Sequence, residues 1–182
     1  MKQAGIFISA NHAENAVFTE ATKQLAHELV RRNVGVVYGG ASVGLMGVLA
    51  DTMLHLQGHV VGVIPTVLAE KEIAHTRLTQ LHQVDSMQAR KKMLAELSDI
   101  FIIMPGGLGT LEEFFEIWNA AKIGLHQKSI GLLNVDGYFD DLLQFISHAI
   151  KKGFIQSSHL DLISVSNNAA TLLDKMSVGA EC

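Results

Sequence analysis

The chain has few of the residues that would staple or anchor it. One cysteine occurs in 182 residues, Cys182 at the last position, so no disulfide can close within the chain. A lone thiol fits a reducing compartment, and a cytoplasmic location is expected. No apolar run approaches the roughly 20 residues of a membrane span. Met1-Lys2-Gln3-Ala4-Gly5 leads straight into strand-like residues, without the charged and then apolar pattern of a secretory signal. Charge is sparse as well: 14 Lys+Arg against 18 Asp+Glu give a net charge of −4. That balance excludes a general pull toward nucleic acid or an anionic membrane. An anion would have to be held locally, by a few cations and backbone N–H groups. Metal signatures are missing too. Despite nine histidines there is no H-E-x-x-H and no cysteine cluster. His55 and His59 stand four apart, but Gly58 should end the helix between them. Neither a metal nor an organic cofactor is expected.

What is present is globular. Hydrophobic residues make up 48% of the chain, enough for one domain over residues 1–182 with an unstapled core. Short apolar runs predict strands at Ile6–Ile8, Val34–Tyr38, Val60–Ile64, Ile100–Met104 and Ile130–Val135, with a last one at Ile163–Val165. Helical spacing predicts helices over Glu14–Arg32, Leu45–Gln57, Ser86–Leu97, Leu111–Ile123, Tyr138–Lys152 and Ala169–Met176. The stretch from Thr66 to Asp85 reads as irregular, with at most one short strand. Continuously apolar strands alternating with helices imply an α/β fold, a three-layer, Rossmann-like, doubly wound parallel sheet. In such sheets ligands bind beyond the carboxyl ends of the strands. The loops after Ile8, Tyr38, Ile64 and Met104 are therefore the places for a site.

Two of those loops are rich in glycine. One is Gly39-Gly40-Ala41-Ser42-Val43-Gly44-Leu45-Met46-Gly47, the other Pro105-Gly106-Gly107-Leu108-Gly109-Thr110. Glycine lets backbone approach a ligand closely, and a following helix N-terminus offers free N–H groups and partial positive charge. Phosphate suits both features, and Thr110 adds a hydroxyl. Neither loop is G-x-G-x-x-G or a Walker A sequence, and glycines also serve simple tight turns. Glu112 and Glu113 are expected in the first turn of the helix after the second loop, where acids complement the dipole. A carboxylate beside a phosphate-binding turn could also hold a ribose hydroxyl, orient water or stabilise a developing cation. Glu116 lies on nearly the same face as Glu113 and could equally be solvated. Arg90, Lys91 and Lys92 form either a solvated basic face or a source of phosphate contacts. Phe114, Phe115 and Trp118 read as core or subunit interface.

With these residues in view, the chain resembles the LOG family, cytokinin riboside 5′-monophosphate phosphoribohydrolases long mislabelled as lysine decarboxylases. The resemblance rests on Pro105-Gly106-Gly107-Leu108-Gly109-Thr110-Leu111-Glu112-Glu113 after Arg90-Lys91, with Tyr38-Gly39-Gly40, Val61-Gly62-Val63-Ile64-Pro65 and Asn134-Val135-Asp136-Gly137-Tyr138 in support. It spans about residues 5 to 155. It implies a homodimer or higher oligomer that hydrolyses the N-glycosidic bond of an adenine-type nucleoside 5′-monophosphate, such as AMP. It further implies Arg90 and Glu113 as the catalytic pair. Nucleotide contacts would come from Glu72, Arg90, Lys91, Gly106, Gly107, Leu108, Gly109, Thr110, Leu111, Glu112 and Asn119. One departure stands out. Family members usually carry Cys-Gly-Ser-Ser after the first strand, where this chain has Ile8-Ser9-Ala10-Asn11-His12-Ala13. That loop would lie over the nucleotide, and Asn11 or His12 are candidates for replacement contacts. The competing reading is a carrier that holds a nucleotide or molybdenum cofactor without cleaving it. Amino-acid decarboxylation is weaker, since neither Lys122 nor Lys128 sits in a recognisable pyridoxal-phosphate context.

Overall fold

The structure, a computed structural model, describes residues 1–11, 14–69 and 73–178. Among the described residues the order is β1 (Lys2–Phe7), α1 (Ala16–Arg31), β2 (Val34–Tyr38), α2 (Gly44–His55), β3 (Val60–Pro65), α3 (Thr66–Ala69), β4 (Gln80–Val84), α4 (Met87–Leu97), β5 (Ile100–Ile103), α5 (Leu108–Lys122), β6 (Ile130–Leu133), α6 (Asp140–Lys151), α7 (Ser157–Leu160), β7 (Ile163–Ser166) and α8 (Ala169–Lys175). A single 3-10 turn, Val135–Gly137, precedes α6. None of the described helices is long and apolar enough to cross a membrane.

The central strands are apolar on both faces, and their two-residue period sorts those faces. In β5, Ile100 and Ile102 pack with Leu25 and Leu29 of α1, Leu49 of α2 and Leu172 of α8. Phe101 and Ile103 pack on the opposite side with Leu94 of α4, Phe114 and Trp118 of α5 and Ile146 of α6. A sheet covered on both faces must be three layers deep, and burying each large side chain stabilises it by about 1.5–3 kcal/mol. All seven strands run parallel, in the order β4-β3-β2-β1-β5-β6-β7. This is the doubly wound α/β sheet expected from the pattern of apolar runs.

The strand order positions the site. From β1 the chain winds outward through β2 and β3 to β4, then returns to lay β5 on the other side of β1. The helices following β1 and β5 therefore cover opposite faces. A crevice must open between the two connections, at the carboxyl ends of the strands.

Helix starts differ in a telling way. Asn15, Ser86 and Asn168 cap α1, α4 and α8 with side-chain oxygens. The helices after the two glycine-rich loops, α2 and α5, have Val43 and Gly107 as N-caps and, like α6 and α7, no side-chain cap.

The structure changes several expected boundaries. The last helix before β6, α5, begins at Leu108, three residues before the predicted start. Gly107 is its N-cap, and Gly109 adopts helical geometry in the first turn. Glu112 and Glu113 consequently stand in the second turn, where dipole complementation no longer accounts for them. β4 is the one short strand of the irregular stretch, while α3 and α7 were not anticipated. Four-residue helices carry too little periodicity to read. His55 ends α2, and the left-handed residue just beyond is Gln57, with φ 59°, rather than Gly58. His59 lies beyond the helix, its Nδ1 3.4 Å from Gln3 Nε2.

Candidate active site

A cleft of about 290 Å³ opens over the carboxyl ends of β1, β2, β3 and β5. Its walls come from four loops that adjoin only in the folded chain. Ala10, Val43, Met46, Ile64 and Ile73 give it an apolar side. The tip of α5 and the pair Arg90–Glu113 give it a polar one.

The α5 tip is rich in unused donors. The first backbone bond of the helix runs from the Leu111 N–H to the Gly107 carbonyl, at 3.1 Å. The N–H groups of Leu108, Gly109 and Thr110 have no hydrogen-bond partner among the described residues. Gly107 has no side chain with which to cap them. A Cβ built on Gly107 or Gly109 would meet nothing within 4 Å, and neither residue has positive φ. Nothing inside the chain asks for glycine there, although glycine within a helix costs about 0.5–1 kcal/mol relative to alanine. The space above these residues suits an external anion drawn close to the backbone.

Glu113 and Arg90 meet at the base of the cleft. Arg90 Nη1 donates to Glu113 Oε1 at 2.9 Å, and Arg90 Nε donates to the Val63 carbonyl at 3.2 Å. Both residues are buried, 8% exposed for Arg90 and 7% for Glu113. The Arg90 guanidinium fits because Gly39 lacks a side chain: a Cβ there would collide with Nη2. Burial pushes the Glu113 carboxyl above the usual glutamate range. The Arg90 charge opposes that rise and the neighbouring Glu112 charge adds to it. A buried ion pair is weak evidence of stability, since desolvation consumes most of its attraction. A buried acid of raised basicity in a cleft points to chemistry instead.

Lys91 pairs with acids on the flank of α5, outside the lining of the cleft. Its Nζ lies 3.0 Å from Glu112 Oε1 and 2.7 Å from Glu116 Oε2. Glu116 thus faces Lys91 and is not merely solvated. Lys92 points outward, 3.8 Å from Glu96. Leu111 is half-buried and packs into the layer of α4, α5 and α6, and its N–H is already taken by the Gly107 carbonyl. Gly106 forms the neighbouring bend, where a Cβ would overlap Thr110 Oγ1.

The structure therefore brings together Arg90, Gly107, Leu108, Gly109, Thr110 and Glu113 in the cleft, with Gly106 adjoining it, while Lys91, Leu111 and Glu112 stand outside its lining. It does not bring Asn119. At 100° per residue Asn119 is turned well away from Glu113 and shares the face of Glu112 and Glu116. It lines a separate hollow with Phe115, Trp118 and Phe154. In the same segment Phe114 is core and Phe115 is partly exposed. Glu72 and His12 lie outside the described residues. Ser9 and Asn11 do reach the cleft, and the Asn11 N–H donates to Ser9 Oγ at 3.0 Å.

One contact was not foreseen. Tyr138 Oη donates to the Gly106 carbonyl at 2.7 Å, across 32 residues of sequence. The Asp136-Gly137 turn before it was legible as a turn, but its aim at the glycine loop was not. Lys122 and Lys128, raised above for amine chemistry, lie elsewhere. Lys128 Nζ donates to the Ala95 carbonyl at 2.6 Å, and Lys122 Nζ is 3.5 Å from Asn119 Oδ1. No lysine lines the cleft among the described residues.

Comparison with known proteins accords with this arrangement. Residues 46–176 match a family model described as possible lysine decarboxylase. The chain is 43% identical over 171 residues to a probable cytokinin riboside 5′-monophosphate phosphoribohydrolase, LOGL9 of Oryza sativa subsp. japonica, covering 94% of this chain and 75% of that protein. It is 41% identical over 175 residues to the cytokinin riboside 5′-monophosphate phosphoribohydrolase LOG5 of Arabidopsis thaliana, covering 96% and 77%. Among solved structures it is similar to a molybdenum cofactor binding protein from Rippkaea orientalis, with TM-score 0.71 and 18% identity over 97% of this chain and 95% of that one. The molybdenum cofactor carrier protein of Chlamydomonas reinhardtii superposes with TM-score 0.70 at 17% identity, covering 99% of each. At such identities the likeness shows a shared fold alone. The matches in sequence span nearly the whole chain, and by them it belongs to the LOG family.

Proposed function

We propose that the protein hydrolyses the N-glycosidic bond of an adenine-type nucleoside 5′-monophosphate, either AMP or an N6-modified form, releasing free base and ribose 5-phosphate. One observation carries the reading: a helix tip with unused N–H donors and open space above its glycines stands beside a buried carboxylate of raised basicity.

The 5′-phosphate docks on the N–H groups of Leu108, Gly109 and Thr110, with the Thr110 hydroxyl as a further donor. The ribose then spans toward Glu113. As the C1′–N bond breaks, its electron pair leaves with the base and positive charge builds on the anomeric carbon. The Glu113 carboxylate stabilises that charge and takes a proton from water, whose oxygen bonds to C1′. A proton passes to the departing base, so one water is consumed and no redox partner is needed. Arg90 Nε and Nη1 are already engaged by Val63 and Glu113. Its part is to hold the carboxylate in place, with Nη2 left to face the substrate.

The carrier reading draws on fold likeness alone, whereas relatives at about 40% identity carry names of phosphoribohydrolases. Amine decarboxylation lacks a lysine in the cleft among the described residues. The exposed side chains of Phe115, Ile123, Leu125 and Phe154 support a homodimer, to be tested by light scattering on the purified protein. The functional test is a panel of AMP, isopentenyl-AMP, GMP and CMP scored for free base and ribose 5-phosphate. Release from the two adenine nucleotides well above GMP and CMP is expected. Tight binding of AMP without release of adenine would favour the carrier.

A further inference from the structure

We propose that Tyr138 is a positioning residue for phosphate: its hydroxyl holds the Gly106–Gly107 peptide in the orientation that turns an N–H, not a carbonyl oxygen, toward the bound anion. The inference rests on the phosphate site proposed above.

A peptide between two glycines is the easiest kind to rotate, since neither residue has a Cβ to resist. The described residues contain no cis bond, so the Gly106 carbonyl and the Gly107 N–H project in opposite directions from one plane. Tyr138 donates to that carbonyl at 2.7 Å. Tyr138 itself lines a second hollow, of about 270 Å³, with Phe18, Leu45 and Pro105, and does not line the cleft that holds Arg90 and Glu113. Gly107 borders both spaces. Pulling the carbonyl toward Tyr138 therefore aims the Gly107 N–H away from it, in line with the free donors of α5. Rotated the other way, the same peptide would set an oxygen lone pair against a phosphate.

The tyrosine is itself held. Its ring meets Phe18 edge-on at 5.8 Å and Phe139 edge-on at 4.9 Å between centroids. The backbone behind it is fixed by Asn134, whose Oδ1 accepts the Phe139 N–H at 2.7 Å and whose Nδ2 donates to Asp140 at 2.7 Å. Asp136 and Gly137 take left-handed φ of 52° and 69° to bring the ring round. Yet Tyr138 is 46% exposed, so its hydroxyl could have been satisfied by water. A side chain braced this firmly to reach one glycine carbonyl is built to orient that peptide.

The test is calorimetric binding of ribose 5-phosphate and of adenosine to the wild type and to Tyr138→Phe, which keeps the ring and loses only the hydroxyl. The variant is expected to bind ribose 5-phosphate roughly five- to tenfold more weakly, the worth of one hydrogen bond. Adenosine affinity and thermal midpoint should not change. In turnover KM for the nucleotide should rise while kcat holds. Equal ribose 5-phosphate affinity in the two proteins would overturn the role of Tyr138. So would a loss shared equally by adenosine, which would mark a general structural defect. If the wild type fails to bind ribose 5-phosphate at all, the phosphate site itself fails, a separate result.

Discussion

At the turn between β2 and α2, a Cβ on Gly39 would strike Arg90, and one on Gly44 would strike the Ala10 backbone at a φ of 59°. Gly47 would strike the Ser42 backbone. At the turn between β5 and α5, Gly107 and Gly109 face open space at ordinary φ. Two loops of similar composition thus use glycine for different reasons. In the first, the folded chain itself fills the space that a side chain would need. In the second, Gly106 likewise meets Thr110, but the space at Gly107 and Gly109 is left open. The first loop supports the site, through Gly39 and Arg90, while the second is the one proposed to receive the ligand.

The comparison can be broken or sharpened by substitution. The largest effect belongs to the acid that both loops surround. Glu113→Gln keeps an oxygen for Arg90 but loses the base, and turnover should fall by about 10²- to 10⁴-fold with nucleotide affinity retained. Next comes Gly44→Ala, which forces a left-handed alanine against backbone. Chemical denaturation should show a loss of about 1–3 kcal/mol or more. Gly109→Ala should do the reverse, raising stability by about 0.5–1 kcal/mol while weakening ribose 5-phosphate binding by roughly tenfold. A Gly109→Ala protein that is both more stable and unimpaired in binding would erase the distinction between the loops.

Two smaller effects follow. Because burial raises the Glu113 pKa, the acid limb of the kcat/KM profile should lie above the ordinary glutamate value of about 4.3 and shift away in Glu113→Gln. Stability runs the opposite way with pH. The contribution of Glu113 is fully present below its unfolded pKa and is lost as pH rises through the raised folded value. Last, Asn119→Ala should change KM by no more than about twofold, since the side chain stands outside the cleft.

The layers of this fold were legible because β-strands buried on both faces read as unbroken apolar runs, and β5 through Met104 is of that kind. The α5 start was misplaced because glycine in a first helical turn looks like loop, although the N–H groups there have no helical partner to lose. Arg90 and Glu113 could be named from their motif. Their contact at 2.9 Å, and the basicity that burial confers on Glu113, exist only once β3, α4 and α5 are packed together. Asn119 falls outside the cleft because proximity along a helix says nothing of face. Tyr138 was missed because a hydroxyl reaching back 32 residues leaves no local signature.

The most direct measurement is a crystal structure of the Glu113→Gln variant with AMP bound. The expected result is a phosphate within hydrogen-bond distance of the Leu108, Gly109 and Thr110 N–H groups, with the substituted amide side chain facing C1′. A phosphate held elsewhere, or a side chain at position 113 turned away from the sugar, would contradict it.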